Sequence, residues 1–114
     1  MLKQPNRLSS DFEFKITKKY GQKVYSEFLF VYFLSPTNYK GEPKFGIVIS
    51  NKFDKRAVVR NRVKRLISEA LVTRINLFPN DTWTVIYPNK KVLDVSYEKI
   101  CSDVDQVLQK ISVS

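Results

Sequence analysis

From Arg56 to Arg74 the apolar residues return with a helical period, and this segment constrains the fold more than any other. At about 100° per residue, Val59, Val63, Leu66, Ile67 and Ala70 share one face. Arg60, Asn61, Lys64, Arg65 and Ser68 fall on the opposite face, with Arg62 at a flank. The apolar stripe must be buried, so the helix needs a sheet to lie on. The displayed side is almost uniformly cationic. Between Lys52 and Arg65 there are seven Lys or Arg side chains against one acid, Asp54, and no acid lies between Arg56 and Ser68.

The rest of the chain supplies the partners. Val24 to Leu34 is rich in aromatic and β-branched residues and reads as one strand buried on much of both faces. Lys44 to Ser50 is a second strand, with Phe45, Ile47 and Ile49 alternating against Gly46, Val48 and Ser50. Thr82 to Tyr87 is a third main strand. Pro36–Pro43, Leu77–Asp81 and Pro88–Lys91 carry the Gly, Pro and Asn of turns. Residues 1–8 form a short basic arm. A first helix, capped by Ser9 or Ser10, runs roughly to Lys19 and stops near Gly21. It shows Phe12, Ile16 and Tyr20 on one side and Phe14 on another. A last helix begins near Ser96, with Tyr97, Ile100, Cys101, Val104, Val107, Leu108 and Ile111 as its buried stripe. The 114 residues thus predict a single domain, an α+β sandwich spanning 1–114.

Composition narrows the chemistry. A net charge of +9 points to a polyanion partner. There is no His and only one Cys, so imidazole acid–base catalysis, Cys–His or Ser–His triads and zinc fingers have no ligands or bases to use. No apolar run approaches membrane-spanning length, and the N-terminus does not read as a signal peptide, so a cytoplasmic location is expected. Asp94, Glu98, Asp103 and Asp105 lie in or before the last helix, with Asp103 and Asp105 about 200° apart on it, a poor arrangement for a metal cage. Cys101 and Trp83 read as core residues.

The cationic helix face suits phosphate. Arg offers a planar fork that grips phosphate with two hydrogen bonds, and Asn61 can bridge a phosphate or a base edge. Lys52, Lys55 and Arg56 extend the positive field toward the helix N-terminus, which adds its own N–H groups. A merely solvated face would mix signs, and a membrane-surface helix would carry Trp or Phe on its apolar side. The aromatics Phe14, Tyr25, Phe28, Phe30, Tyr32 and Phe33 are available either as core or to stack unpaired bases.

The block Phe45-Gly46-Ile47-Val48-Ile49-Ser50, Lys52, then Ala57 through Ile67 with Arg60-Asn61-Arg62 and Lys64-Arg65, then Glu69, closely resembles the signature of the bacterial ribonuclease P protein subunit. Asn6-Arg7-Leu8 before a Phe-bearing helix, and Asp81 before an apolar strand, extend the resemblance over nearly the whole chain. The resemblance implies the order αβββαβα: a central four-stranded sheet, three helices and a left-handed βαβ crossover. It also implies a 1:1 partnership with a catalytic RNA. In that family the RNA removes 5′ leaders from precursor tRNA in a Mg2+-dependent hydrolysis, while the protein supplies binding.

By position, the RNA-binding set would be Lys52, Lys55, Arg56, Arg60, Asn61, Arg62, Lys64 and Arg65, and the leader cleft Phe14, Lys18 and Tyr32. This chain departs from the family pattern at several points. Asn51 and Ser68 stand where a basic residue is usual, and Lys18 replaces a frequent aromatic. Tyr87-Pro88 occupies the place of a basic residue after the third main strand. The family's two strands also correspond here to one segment, which a break near Ser26-Glu27 or a strand within Pro36–Glu42 would reconcile. From the residues alone, a non-catalytic RNA-binding or assembly protein of ribosomal type remains the alternative.

Overall fold

Ser10 begins the first helix by a reciprocal cap: its hydroxyl accepts the Glu13 N–H at 3.2 Å, and the Glu13 carboxylate accepts the Ser10 N–H at 3.3 Å. That helix, α1, spans Asp11–Tyr20. In the computed structural model, which describes residues 2–113, the chain continues through β1 (Gln22–Tyr25), β2 (Leu29–Leu34) and β3 (Lys44–Ile47). It ends with α2 (Ala57–Thr73), β4 (Trp83–Pro88) and α3 (Tyr97–Val113). The order is the αβββαβα implied by the resemblance. The four strands form one sheet in the order β1-β2-β4-β3, with β3 parallel to β4 and the other pairs antiparallel. Among the described residues no helix is long and apolar enough to cross a membrane.

The period-two alternation of the strands divides two cores. One face presents Val24, Leu29, Val31, Phe45 and Ile86 to Val63, Ile67, Ala70 and Leu71 of α2 and to Ile100, Val104 and Val107 of α3. Each such Val, Leu, Ile or Phe side chain contributes roughly 1.5–3 kcal/mol by leaving water. The other face packs Trp83 and Val85 against Leu8, Phe14 and Ile16, so α1 lies across it. The arm is pinned rather than loose. Leu8 donates its N–H to the Phe45 carbonyl at 3.0 Å, and the buried Asn6 amide donates to the Pro43 carbonyl at 2.9 Å. It thereby covers the outer edge of β3.

Three expectations are corrected. The segment from Val24 to Leu34 is two antiparallel strands, broken at Ser26–Phe28, because the buried Asp103 carboxylate collects the Ser26 hydroxyl and the N–H groups of Glu27 and Phe28 there. β2 is not buried on both faces, since Phe30 and Tyr32 are only half-buried. Ser68, expected on the displayed side of α2, is 3% exposed, because the arm closes over that side of the helix and shares a cleft with it.

Candidate nucleic-acid interface

The loop before α2 is folded around Phe53, whose ring enters the main core while Lys52 and Lys55 stay exposed. Asp54 organises the entry to the helix. Its carboxylate accepts the Arg56 N–H at 2.8 Å and pairs with the Arg56 guanidinium at 3.1 and 3.0 Å. These bonds hold the Asp54 carboxyl at a pKa of about 2 and raise that of Arg56. The one acid of the basic stretch therefore neutralises part of one cation. Arg60 is half-buried, and its Nη1 donates to the carbonyls of Asp54 at 2.8 Å and Lys55 at 2.9 Å. It ties the loop to the helix. Asn61, Arg62, Lys64 and Arg65 are exposed, and these three cations form no ion pair among the described residues. The displayed patch is thus Lys52, Lys55, Arg56, Arg62, Lys64 and Arg65 around Asn61, with Arg56 partly neutralised by Asp54 and the half-buried Arg60 at the base.

Phe14 leaves α1 toward β3 and rests on Gly46. A methyl group at Gly46 would meet the Phe14 ring at 2.3 Å, so glycine is needed there for the ring to seat. Phe14 and Lys64 line the same cleft of about 160 Å³, with Arg7 at its side. That cleft joins the cationic face of α2 to the α1 side of the sheet. Tyr32 belongs to the same core cluster as Phe14 and stands edge-on to Tyr87, ring centres 6.0 Å apart. Lys18 holds its ammonium 5.6 Å from the centre of the Tyr87 ring. Its hydrogen bond and charge attraction to the Tyr87 hydroxyl raise the Lys18 pKa. The structure thus brings Phe14, Lys18 and Tyr32 to one side of the sheet.

Sequence reasoning missed the extent of this aromatic surface. Tyr25 stacks on Phe30 with centres 4.7 Å apart and planes 4° from parallel, and Phe30 meets Tyr32 at 4.9 Å. With Tyr87 they make a run of four rings on one sheet face, and Tyr25 is 59% exposed. A run of rings beside ammonium groups can stack unpaired bases while the cations meet phosphates. The alternation of Phe30, Tyr32 and Leu34 signalled one face, but Tyr87 joins them only through the β2–β4 register. Among the described residues no three His, Cys, Asp or Glu side chains group to hold a metal ion.

The chain has relatives in sequence and in fold. The sequence profile of the family described as Ribonuclease P matches residues 2–112. The ribonuclease P protein component of Rippkaea orientalis is 33% identical over 111 residues, covering 95% of this chain and 87% of that protein. The solved RNase P protein of Staphylococcus aureus superposes with a TM-score of 0.82 at 22% identity, covering 95% of this chain and 96% of the other. That of Thermotoga maritima gives 0.80 at 24% identity, covering 91% and 96%.

Proposed function

The chain belongs to the ribonuclease P protein family, and on that premise we propose that it is the protein subunit of a ribonuclease P ribonucleoprotein. In this reading it binds a catalytic RNA one-to-one in the cytoplasm and holds the 5′ leader of precursor tRNA for endonucleolytic removal. The observation that carries it is the Phe14–Lys64 cleft, where the cationic helix face meets Phe14, a member of the same cluster as Tyr32 and Tyr87 of the aromatic run. The cationic patch of Lys52, Lys55, Arg56, Arg62, Lys64 and Arg65 would take RNA phosphates, with Arg60 and Asn61 setting its shape and polarity. The single-stranded leader would lie along Tyr32 and its neighbouring rings, with Phe14 at one end and Lys18 on its phosphates.

The chain's contribution is binding and electrostatics. Bringing two polyanions together costs repulsion, and a protein face of fixed positive charge reduces it for substrate and catalytic RNA alike. The Mg2+ that the family implies does not fit a cage of this chain's own side chains, given the absence of a donor cluster among the described residues. In this reading the RNA holds most of the Mg2+ and performs the hydrolysis. Reconstitution tests the proposal. The protein with its catalytic RNA should cleave precursor tRNA at the 5′ end of the mature sequence at low Mg2+, faster than the RNA alone. Cleavage by the protein without RNA, or recovery of ribosomal RNA as its bound partner from cells, would overturn it.

A further inference from the structure

α1 has a second flank, facing away from the aromatic run, that the proposed function does not use. Phe12 and Tyr20 are 66% and 63% exposed, large values for such side chains, and with Ile16 they form one side of a groove of about 460 Å³. Leu34, Tyr39 and Trp83 form the other side and the floor. This volume is in the range of sites that hold small planar ligands.

The groove is a built one. Its outer loop is fixed where Asp81, in a left-handed conformation with φ of 62°, accepts the Gly41 N–H at 2.7 Å through its carboxylate and donates its own N–H to the Gly41 carbonyl at 2.8 Å. Tyr39 is held in turn by its hydroxyl, which donates to the Glu42 carbonyl, and by the Lys44 ammonium 5.2 Å from its ring centre. Trp83 is 8% exposed, and its indole N–H is buried with no acceptor among the described residues. Such a donor is costly to leave unpaired. Tyr39 tilts beside the indole with ring centres 5.8 Å apart, so the two rings form one aromatic wall of the groove.

Charge identifies the occupant. Around the outward side of α1, Lys18, Lys15 and Lys19 lead toward Phe12, with Asp11 set between the first two at the helix start; all are exposed, and Lys19 reaches over the Tyr20 ring at 5.3 Å. This cationic ridge leads from the aromatic run, over α1, into the groove. We propose that the groove between α1 and the β2–β3 loop is a nucleobase pocket for the 5′ continuation of the leader. The strand crosses α1 with its phosphates on Lys18, Lys15 and Lys19 and inserts one base between Tyr20, Phe12 and Trp83. Asn38 at the rim offers its amide to the base edge. A leader's 3′ side is joined to the tRNA, so only its free 5′ end can make this crossing. The proposal rests on the leader-binding function proposed for the aromatic run.

Trp83 is the chain's only Trp and reports on the groove directly. The test uses the holoenzyme and precursor tRNAs with short and with extended leaders. Extended leaders should bind roughly tenfold tighter than short ones, the effect of one added stacked base, and should quench Trp83 emission. Phe12→Ala and Tyr20→Ala, both at exposed positions, should abolish that length-dependent gain. A gain that survives both substitutions, or Trp83 quenching by the catalytic RNA alone, would overturn the proposal. Tyr32→Ala separates the two readings. If it weakens short-leader binding while the groove variants keep the gain, only this inference falls. If it has no effect with any leader, the leader reading itself fails.

Discussion

Asp103 accepts the backbone N–H of Phe28 at 3.0 Å, joining residues 75 positions apart. The same carboxylate takes the Glu27 N–H at 3.0 Å and the Ser26 hydroxyl, so α3 caps the turn between β1 and β2. That turn sets the register that stacks Tyr25 on Phe30. Asp103→Ala would leave buried donors unpaired and should destabilise the fold by about 3 kcal/mol. Asp103→Asn should cost nearly as much, since its NH2 group would confront one of those donors. Chemical denaturation measures both. A loss under about 0.5 kcal/mol, the scale of a neutral surface change, would show that the turn holds itself.

Arg62 and Arg60 should separate. Arg62→Ala removes an exposed cation that has no ion pair among the described residues and should weaken catalytic-RNA binding by about 1–3 kcal/mol with little change in melting temperature. Arg60→Ala also frees the carbonyls of Asp54 and Lys55, so it should lower both affinity and stability. Filter binding and thermal denaturation of the two variants check the pair.

Salt should report the number of phosphates held. If the cationic patch engages about five, the log of affinity falls with the log of salt at a slope of about −3.5 to −4.5. Arg62→Ala should make the slope shallower by nearly one. A slope near zero would contradict a phosphate-binding face.

Gly46→Ala should displace Phe14, because the added methyl would sit 2.3 Å from its ring. The expected cost is about 1–3 kcal/mol in stability, together with weaker binding of leader-bearing precursor than of mature tRNA. Phe14→Ala should share the binding defect. Equal losses for both RNAs would place Phe14 in the core alone.

Acid should loosen the start of α1. Burial pushes the Glu13 carboxyl upward, but the N–H groups of Ser9 and Ser10 and the Lys44 ammonium outweigh it, so its pKa lies below the ordinary 4.5. A lowered carboxyl pKa contributes stability that is present above pH 4.5 and is lost as pH falls through the folded value. NMR titration of the Glu13 carboxyl and of the Ser10 amide should show the cap opening below pH 4.5. A Glu13 midpoint at or above that value would refute the capping role.

Much of this protein was legible in one dimension because its causes are local. The α2 stripe, the helix cap at Ser9 or Ser10, the α3 stripe and the Arg-Asn-Arg block depend on spacings of a few residues, and local spacing survives folding. The break at Ser26–Phe28 was open to sequence reasoning, but its cause lies in Asp103, and no local rule connects them. Ser68 has a polar side chain at a polar-face spacing, yet the arm from the other end of the chain buries it. Arg60 reads as a free cation until the loop carbonyls are placed beside it.

The sequence by itself therefore determined the three helices, the strands other than the β1–β2 break, the sign of the charge and the family. Tertiary structure decided which cations stay exposed, which rings form one surface, and that α1 exposes large side chains on a second flank. Those outcomes depend on strand register and on contacts between distant segments, and their energies appear only when the segments meet.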